Sequence, residues 1–119
     1  MEHKMHEYPV TEHIIKLACA KAAENNANRV AAINLVMGEN CGYLPDSIIL
    51  YFDIIAADTV CKDAKINIKS IKPKLRCNVC GNLFLRQPFK FGCPNPDCNG
   101  TGEPTDIGRE FFLESLEFE

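Results

Sequence analysis

The chain has 119 residues, of which 46% are hydrophobic and 24% charged, with a formal net charge of -3. That length allows one ordinary domain or two very small ones, and a module of about 40 residues would need a staple to fold. No apolar run nears the roughly 18 residues of a membrane span, and the acidic balance argues against a chain whose main business is holding nucleic acid, which normally carries a basic excess.

Residues 1–10 carry Glu2, His3, Lys4, His6 and Glu7 with neither an apolar core nor a small-residue cleavage site, so no secretory signal is read and a cytoplasmic location is expected. From Pro9 to Asn26, Val10, Ile14, Leu17 and Ala18 recur at helical spacing, and Ile15, Ala20, Ala22 and Ala23 widen the stripe. Pro9 suits a first helical position, while Asn25, Asn26 and Asn28 mark the end. Arg29 to Met37 reads as a strand apolar on both faces, as a covered central strand should. Pro45 and Asp46 open a second amphipathic helix through Ile48, Ile49, Phe52, Ile55, Ala56 and Thr59. Ala64 to Ile71 alternates Ala64, Ile66 and Ile68 against Lys65, Asn67 and Lys69, the period of a half-buried strand.

Pro73 to Pro104 changes character, with four cysteines and frequent proline and glycine, and reads as a loop-rich insertion. Arg109 to Phe118 is β-prone and apolar and is expected to be a terminal strand. The expected fold is α/β: two helices on a three-stranded mixed sheet, with an inserted four-cysteine zinc module. The expected division is 1–72 plus 106–119 as one domain and 73–105 as the other. The connection through the second helix suits a parallel pair, and the last two strands are expected to pair antiparallel across the insertion.

Cys77 and Cys80 are separated by two residues, Cys93 and Cys98 by four, with twelve between the pairs. Two turns of that spacing can point four sulfurs inward, and four thiolates closing a tetrahedron around Zn(II) make a structural site. Such a metal replaces a missing core. Iron in the same donors stays open, as do disulfides or a redox dithiol. Cys19 and Cys61 read as small buried hydrophobes, and Cys41 sits in a glycine-flanked loop where an auxiliary metal role is conceivable.

The first seven residues crowd together possible ligands in His3, His6, Glu2, Glu7 and an amine, and nitrogen donors suit square-planar Ni(II). From spacing alone, a solvated tail with incidental histidines is the plainer reading. The combination of Met5, His6, Glu7 and Tyr8 before a helix, Gly38 and Glu39 after a strand, and the four-cysteine insertion resembles the hydrogenase nickel-incorporation family HypA/HybF. The resemblance covers nearly the whole chain.

It implies a non-enzymatic metallochaperone with Ni(II) as transient cargo and zinc as a structural ion. It also implies nickel binding through the His6 imidazole and adjoining backbone nitrogens of the Met5, His6, Glu7 opening, with support from Glu7. The partners it implies are a nickel-handling maturation GTPase and the hydrogenase large subunit, with urease a further destination, and the chain is expected to be a monomer or weak homodimer. Two departures stand out. Met1 to Lys4 precede the opening methionine, so that a start at Met1 would make His3 a rival ligand to His6, and four residues rather than the usual two separate the last cysteines.

A zinc-ribbon module for nucleic acid is the alternative, because Lys72, Lys74, Arg76, Arg86 and Lys90 are basic and Phe84, Phe89 and Phe91 could stack on bases. No phosphate loop, nucleophile–histidine pairing or two-histidine zinc motif suggests an enzyme. His13 reads as a helix-surface group.

Overall fold

A computed structural model describes residues 6–88 and 90–119. The expectations for His3, Met5 and Phe89 therefore lie outside the described residues. Helix α1 spans Glu7–Glu24, two residues ahead of Pro9. The first-turn amides of a helix have no intrahelical acceptor, so a proline inside that turn costs no hydrogen bond. The far end is capped by two asparagines. The Asn25 amide donates to the Lys21 carbonyl at 2.8 Å, and Asn26 adopts a left-handed φ of 53°, a conformation asparagine tolerates better than other non-glycine residues.

Strand β1, Val30–Gly38, is buried along nearly its whole length. Helix α2, Pro45–Ile55, starts on its proline and continues as a 3-10 turn over Ala56–Asp58. The two helices pack against each other. Ile14, Ile15, Ala18 and Ala22 of α1, Ile48, Phe52 and Ala56 of the second helical stretch, and Val30, Ile33 and Leu35 of β1 form the core. Each large side chain removed from water there contributes about 1.5–3 kcal/mol.

Strands β2, Lys65–Ile71, and β6, Phe111–Phe118, complete a sheet of order β2-β1-β6. Arg29 pairs with Glu119 and Gly38 with Glu110, which sets β6 antiparallel to β1. Glu39 donates to Ile71 and Asn67 to Asn34, which sets β2 parallel to β1. The sheet is mixed, as expected, but β2 and the terminal strand do not pair with each other. The apolar two-faced β1 takes the centre, and the two strands with half-exposed patterns become its edges. A polar ladder crosses the three strands: Asn67 donates to the Asn34 side chain at 2.8 Å, and Asn34 donates to Ser115 at 3.0 Å and Glu117 at 3.2 Å.

The cysteine-bearing segment is not merely loops. It contains a small antiparallel sheet of order β4-β3-β5, built from β3 Lys74–Cys77, β4 Leu83–Leu85 and β5 Gly102–Pro104. Leu75 lies opposite Phe84 on one side and Pro104 on the other. These strands are only three or four residues long, too short for their alternation to stand out in a proline- and glycine-rich sequence. By proximity along the backbone the chain forms two compact units. One comprises the residues up to Val36 with Gly42–Lys69 and Phe112–Glu119, and the other comprises Met37–Cys41 with Ser70–Phe111. Among the described residues no helix is long and apolar enough to cross a membrane.

Candidate metal centre

Cys77 ends β3 and opens a tight turn in which the backbone N–H groups of Val79 and Cys80 both donate to its sulfur at 3.4 Å. Gly81 completes the turn with a φ of 76°, a conformation that favours glycine. The second cysteine pair sits on a related turn. The Gly100 N–H donates to the Cys98 sulfur at 3.4 Å, and the Cys93 N–H donates to the Gly100 carbonyl at 3.0 Å. The four intervening residues Pro94, Asn95, Pro96 and Asp97 are exposed, and the Asn95 carbonyl accepts from the Cys98 N–H at 3.0 Å.

These turns bring Cys77 and Cys98 sulfurs to 3.5 Å and Cys80 and Cys93 sulfurs to 3.7 Å, with all four sulfurs within 4.8 Å of one another. A tetrahedron of thiolates around an ion at about 2.3 Å has edges of about 3.8 Å. The cluster therefore has the size and donor set of a closed metal site. The protonation pattern agrees. The N–H groups of Cys80 and Val79 hold the Cys77 thiol down at about 6. For Cys98 the Gly100 N–H lowers the value, but the Cys77 sulfur, burial and the remaining sulfurs outweigh it and push the thiol up to about 11. Cys93 is likewise raised, with the Asn95 N–H opposed by burial and by the sulfurs of Cys80 and Cys77. One thiolate is supported by the fold alone, and further thiolates need a cation among them to be stable together.

Sequence reasoning missed Gly100. It is buried, and a Cβ at that position would overlap the Cys77 sulfur. Gly100→Ala is expected to weaken metal binding by roughly 10–100-fold, the scale of losing a partner that orients a ligand. Competition with a chromophoric chelator measures it, and an unchanged affinity would show that the turn can shift to admit the methyl group.

At the amino-terminal end, His6 precedes α1, is exposed, and stacks on Tyr43 with ring centroids 4.7 Å apart and planes at 30°. Tyr8 meets Tyr51 edge-on at 5.4 Å. Glu7 is only 3% exposed. One carboxylate oxygen accepts from the Leu44 N–H at 3.0 Å just ahead of α2, while the other is buried with no hydrogen-bond partner among the described residues. Glu7 thus clamps the start of α1 to the entrance of α2, and His6 next to it is exposed. The Tyr43 partnership was illegible in the sequence, which shows an aromatic before a helix but not what it stacks on. His13 is exposed, as expected, and Cys41 is half-buried.

In the four-cysteine segment Phe84 is half-buried, and the face of Phe91 is covered by the Arg86 guanidinium at 5.4 Å. That arrangement uses a ring and a charge which the nucleic-acid reading required to be free.

The sequence pattern of one family, described as hydrogenase/urease nickel incorporation, metallochaperone, HypA, matches residues 5–118. The chain is similar to the hydrogenase maturation factor HypA of Dehalococcoides mccartyi, with 40% identity over 113 residues covering 95% of this chain and 93% of the relative. It is also similar to the factor of that name from Caldanaerobacter subterraneus subsp. tengcongensis, with 35% identity covering 97% of this chain and 100% of the relative. The solution structure of the Ni metallochaperone HypA from Helicobacter pylori superposes with a TM-score of 0.61 at 27% identity, covering 94% of this chain and 96% of that one.

Proposed function

The chain belongs to the HypA family of nickel-incorporation metallochaperones, and from that membership we propose that it binds Ni(II) at its amino-terminal end and passes it on during assembly of nickel-iron hydrogenase, beside a structural zinc ion. It is a maturation factor rather than a catalyst. The observation that carries the reading is that the family match runs over residues 5–118 and so includes His6, Glu7 and all four clustered cysteines.

We assign the resident ion as Zn(II) on Cys77, Cys80, Cys93 and Cys98, where it would tie the two turns together and supply no open position for chemistry. The cargo belongs to His6, with the adjoining backbone nitrogens, Met5 and His3 as further donors and Glu7 as their support. An exposed imidazole anchored by a buried neighbour suits an ion that must be handed over, because donors open to solvent exchange more readily than enclosed thiolates. The nickel function falls to residues 1–72 with 106–119, and the zinc function to 73–105. The partners we infer are a nickel-handling maturation GTPase and the hydrogenase large subunit in the cytoplasm, with urease a second destination.

Calorimetric titration of Ni(II) into the zinc-loaded protein and into His6→Ala and His3→Ala variants tests the assignment. The His6→Ala protein is expected to lose specific nickel binding and keep its zinc. A His3→Ala protein that binds as the parent does removes His3 from the ligand set. Full-strength binding in both variants would overturn the amino-terminal site.

A further inference from the structure

Outside the four-cysteine cluster the fold brings two more thiols together. Cys19 lies on α1 and Cys61 in the turn between the 3-10 segment and β2, separated by 42 positions in the chain, yet their sulfurs are 3.9 Å apart. We propose that Cys19 and Cys61 form a peroxide-oxidisable dithiol that closes to an intramolecular disulfide, stapling α1 to the turn ahead of β2.

Three observations carry this. The sulfurs need approach by only about 1.9 Å more to reach the roughly 2.05 Å of a disulfide bond. The Cys61 side is rigidly presented: its N–H donates to the Thr59 hydroxyl at 3.0 Å, its carbonyl accepts from the Ala64 N–H at 3.0 Å, and its side chain is fully buried. Cys19 is half-buried while Cys61 is fully buried, which makes Cys19 the side from which a small oxidant would enter.

That asymmetry assigns the order of events. Burial, and next the Cys19 sulfur, push the Cys61 thiol up to about 12, which leaves it protonated and unsuited to attack peroxide. Cys19 as thiolate attacks one oxygen of hydrogen peroxide, the O–O bond breaks, and a sulfenic acid and hydroxide result. The released hydroxide takes the Cys61 proton as water, the Cys61 thiolate so formed attacks the Cys19 sulfur and displaces its oxygen as hydroxide, and that hydroxide leaves as water with the proton first lost by Cys19. Two thiols and one hydrogen peroxide become one disulfide and two waters.

The pair is chemically separate from the metal centre, so its oxidation need not cost the bound ion. The test uses full-length, metal-loaded protein treated with stoichiometric hydrogen peroxide, alkylated, digested and mapped by mass spectrometry. Expected are a peptide linked through Cys19 and Cys61, the loss of two hydrogen atoms in the intact mass, unchanged metal content and full reversal by a thiol reductant. The unfolding midpoint should also rise on the order of 10 °C, from the shortened unfolded chain. A Cys19→Ser protein, altered on a half-exposed helix position, should show none of these. The proposal is overturned if Cys19 accumulates as sulfinic acid while Cys61 remains alkylatable after denaturation, if Cys19 links instead to one of the four clustered cysteines, or if no linked peptide forms.

Discussion

Stripping the metal from the four-cysteine site, or replacing Cys77 with alanine, should abolish the ordered structure of β3, β4 and β5 while the core of α1, β1 and α2 persists. Between Ser70 and Phe111 the only buried hydrophobic side chain among the described residues is Cys77, and Leu83, Leu85 and Phe91 are exposed. Such a segment cannot offset the conformational entropy of ordering about 40 residues. The metal must supply what apolar burial does not, on the order of 10 kcal/mol. Cys77 is the ligand whose loss should cost most, since it is the sulfur that receives two N–H donors and whose thiolate the fold already favours. Amide hydrogen exchange reads the outcome: fast exchange in β3–β5 after chelation, with protection retained in α1 and β1. Protected β3–β5 amides in metal-free protein would show that the module has a core of another kind.

Mild acidification should release Ni(II) from the proposed amino-terminal site and leave an ion held by the four cysteines in place. Protons compete with a metal ion for exposed nitrogen donors, so a cargo ion held by such donors is released more readily than one closed in by four thiolates. For the thiolate site the bound ion sets the window. Cys77 in the folded chain is depressed from 9.0 to about 6, so the stability it contributes is complete above the ordinary thiol value and is lost as the pH falls through about 6. Bound metal opposes protonation further and moves that loss to lower pH. Equilibrium dialysis against buffers from about pH 7.5 to 4.5, followed by analysis of both metals, separates the two curves. Coincident release of nickel and zinc would contradict two independent sites.

Elements long enough to show a period were legible in the residues. The α1 stripe was read correctly at Ile14 and Ala18, with Ala22 beside them, though Leu17 is exposed, and the two-faced β1 was read correctly, because each pattern repeats over several turns or strand positions. The pairing of β2 with β6 was misread because order along the chain was taken as order in the sheet, when β1 had the only pattern suited to the middle. The four cysteines were plain from spacing. Gly100 was not, because its value lies in a missing methyl group beside a sulfur and not in any chemistry of its own. The Cys19–Cys61 approach depends on tertiary packing of a helix against a turn, which no local pattern encodes. Glu7 was read as a donor or support for nickel, and what its carboxylate does in the fold is fasten α1 to the backbone at Leu44.

The ladder from Asn67 through Asn34 to Ser115 has a bearing on biosynthesis. Ser115 lies 81 residues downstream of Asn34, beyond the entire cysteine-bearing segment, so one flank of the apolar β1 stays bare until that late strand arrives. A fragment ending between those two points would display an open strand edge, the feature that invites proteolysis or clumping. Pairing of that edge therefore requires a chain that continues past all four clustered cysteines.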